Sequence, residues 1–213
     1  MSSAQPKVLR LCQVLAGFYI VWSAWAFLLV QHPELNQGGV LRAAVRLLVW
    51  TAPVFLYTRM FESSVLENLG LRCGVIKGVA IGLVGFVVVL LLTVAQRRFV
   101  IQLTLPRDAA TWLNPIFTAP LAEELLFRGL VFRILRGHFG VLAGFLASAL
   151  LFSLAHLPYW WISGDKTGVA LLVGLTSMFA YGLFFAGLYQ WSGSLWSPLI
   201  CHWLNNFLMV SFD

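Results

Sequence analysis

Ala122-Glu123-Glu124-Leu125-Leu126-Phe127-Arg128-Gly129 sets two carboxylates and a guanidinium inside an apolar run that extends from about Pro115 to Leu135. At the centre of a membrane helix each such charge costs about 2.5–3.5 kcal/mol on insertion scales. Three unpaired charges would exceed what the surrounding Leu, Ile, Val and Phe offset, so these side chains must face partners and not lipid. On a helix turning about 100° per residue, Glu124 and Arg128 stand one turn apart on one face, acid before base, the order that favours an ion pair. Glu123 points about 100° away and is left without that arginine. The pattern implies a division of labour: Glu124 and Arg128 brace the site, and Glu123 is free to exchange a proton. A purely architectural Glu/Arg knot between helices accounts for the same three charges and stays open at this level.

The composition says what surrounds this run. Of 213 residues, 60% are hydrophobic and only 10% charged, whereas about a quarter of a soluble domain is charged. The chain therefore reads as one integral membrane domain, residues 1–213, an all-α bundle of about seven transmembrane helices whose surroundings are the lipid bilayer. The net charge of +6 does not signal nucleic acid, because the 14 Lys and Arg are scattered at the ends of apolar runs as anchors and topology signals. Cys12, Cys73 and Cys201 are far apart and lack CxxC spacing, which fits small apolar filler better than a disulfide framework or metal site.

Upstream of the charged run lie three apolar spans. The first, Leu11 to Val30, follows Lys7 and Arg10 and contains Ala24-Trp25-Ala26, resembling a signal peptide with a cleavage site. It outruns the roughly 7–15 residues of a secretory h-region, which favours a retained span. The second covers about Val40 to Phe61, with Arg42 and Arg46 near its start and Pro53 expected to kink it. The third, Gly78 to Ala95, carries Gly78, Gly82 and Gly85 on one face, a stripe suited to close helix approach. Gln96 to Trp112 is a polar interruption with interleaved Phe99, Ile101, Leu103 and Leu105, expected to lie in the interface. Asn114-Pro115 then reads as an N-cap and first helical residue, and Pro120 should free the carbonyl of Ile116 and bend the helix beside the glutamates.

Downstream, spans are expected at about Val141 to Ile162, Val169 to Tyr189 and Leu195 to Phe212. With the N-terminus inside, seven Lys and Arg fall on the cytoplasmic side and six outside, which gives no preferred orientation. Two of these spans hold histidine within apolar surroundings. Phe152 and His156 are four apart on one face, as are His202 and Asn206. Either histidine alone fits a hydrogen-bonded packing residue. Two of them with an asparagine and an unpaired glutamate, on three spans, supply the groups that activate a water and hold an oxyanion.

Glu123-Glu124-x-x-x-Arg128, Phe152-x-x-x-His156 and His202-x-x-x-Asn206, in that order, resemble the three signature motifs of the CPBP family of intramembrane proteases. The family's eukaryotic branch removes the last three residues of prenylated CAAX proteins, and its bacterial branch is linked to bacteriocin processing and self-immunity. The resemblance covers about the last hundred residues and leaves the first three spans unmatched. It implies a metal-independent glutamate peptidase without cofactor, in which Glu123 is the general base, His156 helps deprotonate the water, and His202 and Asn206 hold the oxyanion. Glu124, Arg128 and Phe152 are then structural support. The shortness of the chain suits the bacterial branch, a cell-membrane location, and a peptide or membrane-protein substrate.

Other chemistries remain as alternatives. His156, His202 and a glutamate could ligate zinc, although HExxH spacing is absent. A rhomboid-type serine protease would need Ser194 beside His202, yet eight helical residues separate them by about 12 Å. A non-catalytic scaffold, self-immunity factor or transporter could use the same polar cluster to bind a partner or proton.

Overall fold

In the computed structural model, which describes residues 5–37, 39–61, 64–96, 104–106 and 108–211, 89% of the described residues are helical and none is in a strand. Helices α1 (Gln5–Gln31), the short α2 (Pro33–Gln37), α3 (Gly39–Phe61), the short α4 (Val65–Asn68) and α5 (Val75–Gln96) lead to a central rod. The rod joins α6 (Ala109–Thr111), a π-helical segment (Trp112–Thr118), α7 (Ala119–Glu124), a second π-helical segment (Leu125–Phe132) and α8 (Arg133–Phe139). After it come α9 (Val141–Leu154), α10 (Leu157–Ser163), α11 (Gly168–Ser192) and α12 (Trp196–Ser211).

Charge and packing decide where each element lies. Lys7–Gln31, Gly39–Phe61, Val75–Gln96, Val141–Ser163 and Gly168–Ser192 are long and apolar enough to cross a membrane. Length and composition thus support five of the seven expected spans. The rod, expected as the fourth, carries Glu123, Glu124, Arg128, Arg133 and Arg136, and α12, expected as the seventh, is only 16 residues long. The rod is instead enclosed by its neighbours: Ala122, Leu126, Phe127, Leu130, Val131 and Phe132 are fully buried in the main core, with Trp22 of α1, Trp50 of α3, Phe152 of α9 and Ala186 of α11. Enclosed there, Glu124 and Arg128 meet protein partners and not lipid. Outward, Ile20, Leu48, Leu83, Leu91, Leu142 and Leu172 are exposed, a surface matched to lipid and not to water. The protein is an integral membrane protein.

Three local expectations are corrected. Asn114 does not cap the rod. Asp108 does, accepting from the Thr111 amide and hydroxyl at 2.7 Å each, so the helix begins earlier and Asn114 is buried within it, donating to the Gly39 carbonyl at 2.8 Å. The span expected at Val141 to Ile162 is broken at Ala155–His156, where Pro158 enters the first turn of α10 and a missing amide favours a new helix start. The α1 side chains Tyr19 and Trp22 hold this break by donating to the carbonyls of Leu151 and Ala155. Of the cysteines, Cys201 is buried as apolar filler, whereas Cys12 and Cys73 are exposed. The interfacial reading of Gln96 to Trp112 rests mainly on residues 97–103 and 107, which lie outside the described residues.

The glycine stripe of α5 does bring helices close. Gly78, Gly82 and Gly85 are buried, and a Cβ on Gly82 would meet the Ser197 carbonyl oxygen of α12 at 2.6 Å. Gly17 of α1 has nothing within 4 Å of such an atom. Thermal unfolding in detergent should therefore show Gly82→Ala destabilised by about 1–3 kcal/mol, with Gly17→Ala unchanged or slightly stabilised, as alanine is the better helix former.

Candidate active site

The charged run folds as its spacing predicts at the brace. Arg128 donates from one guanidinium nitrogen to Glu124 Oε1 at 3.0 Å and from another to the Gly182 carbonyl of α11 at 3.2 Å. Both charged side chains are fully buried. The guanidinium also lies 4.4 Å from the Phe152 ring centroid and 5.3 Å from that of Phe185, so two ring faces complement the cation where water does not reach. That contact is the physical reason for an aromatic residue at position 152.

The brace reaches one residue further than expected. Glu124 Oε1 also accepts from His202 Nδ1 at 2.7 Å, and the imidazole stacks on Phe185 at 4.5 Å with 21° between planes. A carboxylate held by an arginine can only accept, so Nδ1 carries the hydrogen and Nε2 is turned away from Glu124. Nε2 lies 3.8 Å from Glu123 Oε2, beyond hydrogen-bond length. Glu123 makes no ion pair with Arg128 among the described residues, as the 100° offset requires.

His156 stands at the break between α9 and α10 and not within a continuous span. Its Nδ1 lies 3.0 Å from the Phe152 carbonyl. A carbonyl only accepts, so Nδ1–H donates and the Nε2 lone pair is left for the cavity. That cavity measures about 320 Å³, and Glu123, His156, His202 and Asn206 all line it.

Asn206 shows where sequence geometry misplaced an orphan. In the π-helical segment the Ala119 amide bonds the Asn114 carbonyl, an i→i+5 link. The next link would join Pro115 to residue 120, which is proline and has no N–H. The freed carbonyl is therefore that of Pro115, not Ile116, and Asn206 Nδ2 donates to it at 2.7 Å. Asn205 Nδ2 in turn donates to Asn206 Oδ1 at 3.2 Å. One amide hydrogen of Asn206 remains for the cavity.

The cavity wall includes residues not singled out from sequence. Arg42 and Arg46 of α3, Trp22 of α1 and Asn205 of α12 line it beside Glu123. Arg42 and Arg46 had been visible only as charges early in a span. Among the described residues, no group of three or more His, Cys, Asp and Glu is placed to hold a metal ion.

A helical membrane protein whose buried Glu–Arg–His brace supports a second glutamate in a polar cavity is the class these features define. Residues 105–208, just under half of the chain, match the model of a family described as "Type II CAAX prenyl endopeptidase Rce1-like". The match takes in all three motifs and is consistent with the CPBP/CAAX protease family. No curated protein and no solved structure matches the chain.

The brace and the cavity acid should separate on substitution. Replacing Arg128 with Met strands Glu124 in the core, and thermal unfolding in detergent should register a loss of about 3–5 kcal/mol. Glu123→Gln, which leaves the brace intact, should unfold close to the native protein.

Proposed function

We propose that the chain is a metal-independent intramembrane endopeptidase in which Glu123 and His156 activate water. The observation that carries this reading is the convergence of Glu123, His156, His202 and Asn206 on one cavity from three separate elements. The match of residues 105–208 to a CAAX endopeptidase family supports the endopeptidase part of this reading.

A water held between Glu123 and His156 Nε2 loses its proton to the glutamate as its oxygen attacks the scissile carbonyl carbon. Charge moves to the carbonyl oxygen, where His202 Nε2 and the remaining amide hydrogen of Asn206 donate to it. Donation from Nε2 requires the imidazolium, since Nδ1 already gives its hydrogen to Glu124, and that carboxylate is then the counter-ion. Collapse of the tetrahedral species breaks the C–N bond while Glu123 returns its proton to the leaving nitrogen. Products are a new carboxylate and a new amine, and the enzyme is restored. Phe185 holds the imidazole in the plane that its contact with Glu124 sets.

The substrate is a peptide or membrane-protein segment. Peptide termini in cells carrying the native protein and Glu123→Gln should differ, and purified Glu123→Gln should cleave at least 10²–10⁴ times more slowly, roughly the contribution of one acid–base group. Equal termini, with both proteins at normal abundance in the membrane, would instead assign the polar cluster to partner binding. Removing the Asn206 donor with Asn206→Ala should lower turnover by about 10²–10³.

A further inference from the structure

Asn205 lines the Glu123 cavity beside Asn206, yet the chemistry proposed above gives it no task. It is 6% exposed and its Nδ2 donates to Asn206 Oδ1 at 3.2 Å, while its own Oδ1 is buried and finds no hydrogen-bond partner among the described residues. Side chains at consecutive helix positions diverge by about 100°, so helix geometry alone does not bring these two amides together. The arrangement also lowers stability. A buried acceptor left unmade is unfavourable, and an apolar side chain of similar size at position 205 would carry no such acceptor.

What the contact does is settle how Asn206 meets the cavity. The Pro115 carbonyl only accepts, so Asn206 Nδ2 must face it, at 2.7 Å, and Asn206 Oδ1 is left to accept from Asn205. The Pro115 bond fixes one atom of the amide and not its plane, because the last torsion of an asparagine side chain is broad. Anchored at Oδ1 as well, the amide is held at both ends, and its second N–H keeps one direction, toward the cavity that Asn206 lines. Accepting at Oδ1 also polarises the amide, which strengthens the hydrogen that Nδ2 donates.

We propose that Asn205 is a positioning residue of the oxyanion site, acting through Asn206 and not on the substrate. This rests on the endopeptidase reading and deepens it, because the Asn206 donor becomes the middle of a chain, Asn205 to Asn206 to Pro115, that joins α12 to the rod. A residue in this role governs turnover more than affinity, since the oxyanion exists only in the transition state. Its influence on turnover ends where Asn206 is removed.

The test follows turnover of the full chain in detergent, with the best-cleaved member of a library of internally quenched apolar decapeptides as the probe. Asn205→Leu should lower kcat about 5–10-fold, the worth of one neutral hydrogen bond, with KM within about twofold of native and an unfolding midpoint at or above that of the native protein. In the Asn206→Ala background the same substitution should change kcat by less than about twofold, because the group it acts through is absent. Native kcat in Asn205→Leu, a rise in KM alone, a loss that tracks a lowered midpoint, or losses that multiply in the double variant overturn the proposal. Asn205→Ser, which withdraws the donor without adding bulk, carries the same comparison where the leucine variant does not fold. Failure of the endopeptidase reading is seen separately, as a native protein that cleaves no member of the library and as unchanged peptide termini between native and Glu123→Gln cells.

Discussion

One carboxylate oxygen holds the centre of this protein together. Glu124 Oε1 accepts from Arg128 at 3.0 Å and from His202 at 2.7 Å, and Arg128 continues to the Gly182 carbonyl. The rod, α11 and α12 are thereby fastened at one point within an apolar bundle, where leaving any member unpaired would expose a naked charge or dipole to hydrocarbon. The contact also settles the orientation of an imidazole. With Nδ1 committed to Glu124, Nε2 can point only toward Glu123, so a structural ion pair determines which face of His202 is offered to the cavity.

The two π-helical segments explain how a single rod carries both the brace and the cavity acid. A wider turn shifts the register of backbone hydrogen bonds by one residue, and Pro120 removes the donor that the shifted register would need. The carbonyl so released at Pro115 takes its hydrogen from Asn206, which ties the end of the third motif to the rod upstream of the first. A regular α-helix would have presented a different carbonyl and turned Asn206 elsewhere. Irregular backbone is tolerated there because protein side chains, and not lipid, satisfy the groups that it frees.

Much of this was legible from spacing alone. The Glu124–Arg128 pair, the separate setting of Glu123 and the close approach at Gly82 follow from residues three or four apart on a helix. What spacing hid has specific causes. Helix periodicity assumes 3.6 residues per turn, so the π register and the Pro115 orphan were out of its reach. The break at His156 was signalled by Pro158 but depended on Tyr19 and Trp22 arriving from α1 to hold the exposed carbonyls. The His202–Glu124 contact joins residues 78 apart, and no local pattern encodes it. Asp108 displaced Asn114 as the cap because it could satisfy both the amide and the hydroxyl of Thr111.

The N-terminal helices, which carry no recognisable motif, turn out to complete the cavity. The matched segment begins at residue 105, yet Trp22, Arg42, Arg46 and Trp50 stand on the same wall as Glu123. Trp22 does two jobs at once: its indole N–H bonds the Ala155 carbonyl beside His156, and its ring lies against the Arg46 guanidinium. The helices that position His156 are thus the ones that decide the charge and shape met by anything entering the cavity. The Glu124 oxygen itself is bonded from the rod and α12, so α1 and α3 shape the cavity and hold His156 without supplying a hydrogen bond to that oxygen.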